Sequence, residues 1–111
     1  MRFTQEQLTW KALCVVSEAT EQARKTAVKP TLGLRFALAY LYAVSSDGDR
    51  RCYDGFWKEI QEPHNEVHHP NDSQQRRGTL AQGYMDCICR SVGVYPTFEV
   101  IHRLREMRLG K

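Results

Sequence analysis

The stretch Thr31-Leu32-Gly33-Leu34-Arg35-Phe36-Ala37-Leu38-Ala39-Tyr40-Leu41-Tyr42-Ala43-Val44 holds one charge, Arg35, in an otherwise apolar or small run. A helix that is apolar on every side is buried on every side. The stretch therefore predicts a central helix over 31–44, capped by the Thr31 hydroxyl, with other helices packed about it. It is shorter than the roughly 20 residues that a membrane span needs.

Upstream, Thr4-Gln5-Glu6-Gln7 has the form of a capping box, and Glu6 suits the positive end of a helix. Leu8, Ala12, Val15, Ala19, Ala23 and Ala27 recur at helical spacing, widened by Leu13 and Val16. The alanines let another helix come close. Glu21 and Lys25 form an i,i+4 pair on the wet side. Lys29-Pro30 is expected to end this helix, because the residue before proline avoids the α region.

Downstream, Ser45-Ser46-Asp47-Gly48-Asp49 reads as a loop. A third helix is expected from about Arg51 to Gln61, with Tyr53, Phe56, Trp57 and Ile60 on one face. Residues 62–78 hold two prolines, three histidines and Val67 as almost the only apolar side chain, which predicts a long polar loop. A fourth helix is expected from Thr79 to Val92, with Leu80, Tyr84, Cys87, Ile88 and Val92 inward and Gly93 at its C-terminal cap. A fifth opens at Pro96 or Thr97 and turns Phe98, Ile101 and Leu104 inward. No internal repeat is visible and no run alternates as a strand would. The expected fold is all-α, a single domain of about five helices over residues 1–111.

Composition bounds the function classes. Apolar content of 41% and charged content of 26% fit a folded domain, not a disordered tail. The N-terminus lacks the apolar stretch of a signal peptide. With Cys14, Cys52, Cys87 and Cys89 placed in or near helices, this predicts a cytoplasmic chain with free thiols and no membrane partner. The net charge of +3 is mild. It is unevenly spread: residues 1–75 carry nine basic and ten acidic side chains, and residues 76–111 carry seven and three.

Three groups of residues are candidates for function. The helices expected at 79–92 and from 97 onward form a hairpin with Cys89 as a small mid-helix residue, Gly93 at the turn, and Ile88, Val92 and Val94 around it. Over some twenty residues this resembles a bacterial helix-turn-helix repressor segment, which implies DNA binding through the second helix. Arg90, Thr97, Arg103, Arg105 and Arg108 are the residues that would meet phosphates and bases. The register departs from that pattern, because two positions that should be apolar hold Glu99 and His102. No family is assigned on this basis. Replacing Arg103, Arg105 and Arg108 together with alanine is expected to leave partner binding and folding nearly intact.

The second group is Tyr40, Tyr42, Tyr53, Phe56 and Trp57, an aromatic cluster on the second and third helices. Where short helices leave it uncovered it would bind a protein partner or a second copy of the chain. The third group is His64, His68 and His69, weak candidates for zinc. Cys87 and Cys89 cannot share one ion on a helix, since two residues turn the side chains about 200° apart. His68-His69-Pro70-Asn71 resembles the start of an HNH nuclease site, but that family needs strands that the sequence does not offer. Asp47-Gly48-Asp49 opens like a calcium loop, yet its later ligand positions fall on Arg51, Cys52 and Lys58. No nucleophile–base pair and no phosphate-cradling glycine loop can be argued.

The expectation is a small non-enzymatic helical binding protein, a regulator or adaptor working through protein contacts, with no cofactor. The alternatives are a DNA-binding regulator using 80–109, and a metal-binding protein or enzyme using the histidines of 64–69.

Overall fold

Thr4 starts the first helix, α1 (Gln5–Ala23). Its hydroxyl accepts from the Gln7 N–H at 3.1 Å, and the Thr4 N–H donates to Gln7 Oε1 at 2.8 Å, so both halves of the capping box form. Four more helices follow: α2 (Leu32–Val44), α3 (Arg50–Gln61), α4 (Pro70–Ser91) and α5 (Phe98–Gly110). The computed structural model describes residues 2–46, 50–61 and 70–110, with backbone alone over 70–77 and 109–110. Among the described residues there is no strand. The chain is all-α with five helices, as its sequence predicts.

The hub is α1, not the apolar helix. α1 packs on each of the other four helices, whereas α2 has a broad contact with α1 and a slight one with α3. The side chains explain this. The buried arc of α1 is built from Thr9, Ala12, Leu13, Val16, Ser17, Ala19, Thr20 and Ala23, most of them small. Small residues let several neighbours approach one axis. The buried hydroxyls cost little, because Thr9 and Thr20 each donate to the carbonyl four residues back at 2.8 Å. On α2 only Leu34, Ala37, Leu38 and Leu41 are buried, a single stripe at helical spacing.

α1 also ends earlier than expected, at Ala23, with Arg24 as its C-cap. Residues 24–31 form a connector, and Val28 turns into the core. Its N–H donates to the Ile60 carbonyl at 2.7 Å, satisfying a free acceptor at the end of α3. Thr31 then caps α2, its hydroxyl accepting from the Leu34 N–H at 3.1 Å.

α4 begins at Pro70, so the second half of the expected polar loop is helical and Thr79 lies inside the helix, not at its cap. Proline suits a helix's first turn. Gly78, which reads as a loop residue, lies at a close approach between helices: a Cβ there would sit 2.8 Å from Cγ of Arg24. Gly55 does the same between α3 and α4, where a Cβ would overlap the Tyr84 ring. The α4 terminus closes as a Schellman motif. The Val94 N–H reaches the Cys89 carbonyl at 2.9 Å, the Gly93 N–H reaches Arg90 at 3.0 Å, and Gly93 has φ +80°.

In α5 Leu104 faces in as expected, with Val100 packed beside it and Arg108 one turn on; Ile101 is half-buried, and Phe98 does not face in. Leu104 is fully buried. Phe98 lies six residues before it, about 120° round the helix, and is 91% exposed.

Candidate functional site

Three of the arginines expected to face DNA, Arg103, Arg105 and Arg108, reach back to α1. Arg105 Nη2 lies 3.2 Å from one Glu21 carboxylate oxygen, and Arg108 Nη2 lies 3.0 Å from the other. Arg108 also donates to Ser17 Oγ at 3.1 Å, and its side chain is only 12% exposed. The guanidinium of Arg103 lies 3.8 Å from the centre of the Trp10 ring. Burial works to raise the Glu21 pKa, but hydrogen bonds from Arg108 and Arg105 and their charges outweigh it and hold the carboxyl below its ordinary value. Glu21 is therefore bound by α5. Arg103, Arg105 and Arg108 attach α5 to the hub. The expectation that all three can be replaced at little cost to folding is revised: the triple alanine variant should show a lower unfolding midpoint.

Thr97 caps α5, its hydroxyl accepting from the Val100 N–H at 3.3 Å. Arg90 is exposed at the end of α4. In a helix-turn-helix the second helix packs across the first. Here α4 and α5 each pack on α1 and share at most a marginal contact.

The aromatic candidates divide. Phe56 is fully buried, and Tyr53 is buried with its hydroxyl 2.6 Å from Ser91 Oγ. Both belong to the core, and the Tyr53 ring also lines the groove between α2 and α3. Tyr40 is half-buried and donates to the Gln5 carbonyl at 3.3 Å. Tyr42 and Trp57 are half-buried against the core. The Tyr42 ring stands edge-on to Tyr53, with centroids 5.5 Å apart, and Arg50 lies 5.4 Å from its centre.

His64, His68 and His69 lie outside the described residues. Among the described residues there is no group of three or more His, Cys, Asp or Glu placed to hold a metal ion. All four cysteines are free thiols. Burial, helped by Asp86, pushes the Cys89 thiol up to about 12. Cys14 is also raised by burial, against the opposing charges of Arg108, Lys11 and Arg103.

A bare face on the second or third helix was expected to be a protein-binding patch; the residues that form it, on the outer side of α2, were not singled out from the sequence. Leu32 is 67% exposed and Phe36, one turn on, is 68% exposed. Arg35, Ala39 and Ala43 are exposed beside them. Uniform apolarity hid this face, since no polar residue marks which side of the helix is wet. The weak contact between α2 and α3 leaves a groove of about 350 Å³ beside it, into which Arg35, Tyr42, Arg50, Tyr53, Asp54 and Trp57 all reach.

The chain matches no protein-family model, no curated protein and no solved structure. Among the described residues no helix is long and apolar enough to cross a membrane.

Proposed function

We propose that the protein acts by binding another protein, as a regulator or adaptor, through the outer face of α2. The observation that carries this reading is the exposed pair Leu32 and Phe36. Large apolar side chains left in water on adjacent turns of a helix, beside an aromatic groove, are what a docking surface offers. Among the described residues the core takes Leu34, Ala37, Leu38 and Leu41 from α2 and leaves these two outside.

A photoreactive amino acid at position 36, in the cells that make the protein, tests the reading. A discrete cross-linked species should form there and be absent with the same group at exposed Arg24. If positions 32, 36 and 39 all give no discrete adduct, the reading is wrong. DNA binding through α5 is the second reading and rests on the excess of basic residues in 76–111. Its arginines would have to leave Glu21 and Trp10 to serve it. It predicts binding to a random duplex that falls steeply with salt.

A further inference from the structure

We infer that the occupant of the α2–α3 groove is an amphipathic helix of another protein carrying carboxylates along one edge. This deepens the protein-binding reading and rests on it. The groove is formed by two helical faces. α2 supplies Arg35, Ala39 and Tyr42, and α3 supplies Arg50, Tyr53, Asp54 and Trp57, each set repeating at helical spacing. Its floor is the edge-on Tyr42–Tyr53 pair, with Trp57 beside them. An open trough between two helices, with an aromatic floor and charged edges, takes the apolar stripe of a third.

Charge selects among such helices. Arg35 and Arg50 line the groove, and among the described residues neither meets a carboxylate. Arg105 and Arg108, by contrast, share Glu21. Arg50 is held over the Tyr42 ring, which orients its guanidinium, and among the described residues no carboxylate takes its donors. Among the described lining residues Asp54 is the one carboxylate, and two guanidiniums outweigh it. A guanidinium binds a carboxylate through two parallel hydrogen bonds, and such pairs at an interface rim fix register and speed association. A second copy of this chain would bring the same two arginines to the contact.

The test is a display library of amphipathic helices with a fixed Leu/Phe/Trp stripe and every polar position free to be Glu, Lys or Ser. It is selected against the full chain, and winners are then measured by fluorescence anisotropy. Glu should be enriched along one edge. Affinity should fall about tenfold or more in an Arg35→Glu/Arg50→Glu variant, with the helical circular dichroism unchanged. Enrichment of Lys or Ser, or affinity indifferent to the double reversal, overturns the inference while leaving the protein-binding reading intact. A chain that sediments as a dimer dissolved by Phe36→Asp would overturn it in favour of a second copy. No enrichment at all, with no dimer, sinks both readings.

Discussion

Glu21 shows how a residue's role follows from what reaches it. Two arginines of α5 converge on its carboxylate, and its pKa is lowered as a result. A carboxyl whose folded pKa is depressed contributes stability that is present above its unfolded pKa and lost as pH falls through the folded one. Urea unfolding of the wild type and of Glu21→Gln should therefore differ most above the ordinary carboxylate range and converge in acid. A difference that grows on acidification would contradict the assignment. Glycines give a second comparison. A Cβ at Gly83 would meet nothing within 4 Å, so Gly83→Ala should stabilise by about 0.5–1 kcal/mol. At Gly55 the same change drives a methyl into Tyr84 and should lower the unfolding midpoint. Neither outcome can be read from the sequence, where both glycines simply interrupt a helical pattern. The difference is one of neighbours.

Elements were legible where local chemistry fixes them. The caps at Thr4 and Thr31, the Gly93 terminus and the inward Phe56 and Ile60 all follow from residues a few positions apart. Two boundaries were not. α1 stops at Ala23 because Val28 finds a place in the core and an acceptor on Ile60, a contact more than thirty positions away. α4 starts at Pro70, although the prolines and histidines of 62–78 read as loop. The facing of α5 went partly wrong for a related reason. Its apolar residues are spread round the helix: Leu104 turns inward as expected, but the residue that shares its side one turn on is Arg108, which reaches Glu21 and Ser17, while Phe98 stays outside. Phe98→Ser, on the exposed side, should shift stability by no more than about 0.5 kcal/mol in chemical unfolding. A loss of several times that would return Phe98 to the core.

At the scale of the molecule, the all-α class is plain from periodicity, but the arrangement is not. A long apolar run draws the eye to α2 as the centre, while small residues such as Ala12, Ser17, Ala19 and Thr20 make α1 the helix around which the rest can pack. Apolar content says how much a helix can bury. Side-chain size says how many neighbours it can hold. The difference decides function as well as fold, because a central α2 would have no free face, whereas an outer α2 leaves Leu32 and Phe36 in water. Denaturant unfolding of Leu13→Ala beside Phe36→Ser tests this most directly. Leu13 is fully buried on the hub, and its truncation should cost about 3 kcal/mol. Phe36→Ser should cost no more than about 0.5 kcal/mol. A Phe36→Ser variant as unstable as Leu13→Ala would place α2 back at the centre and remove the surface on which the binding reading stands.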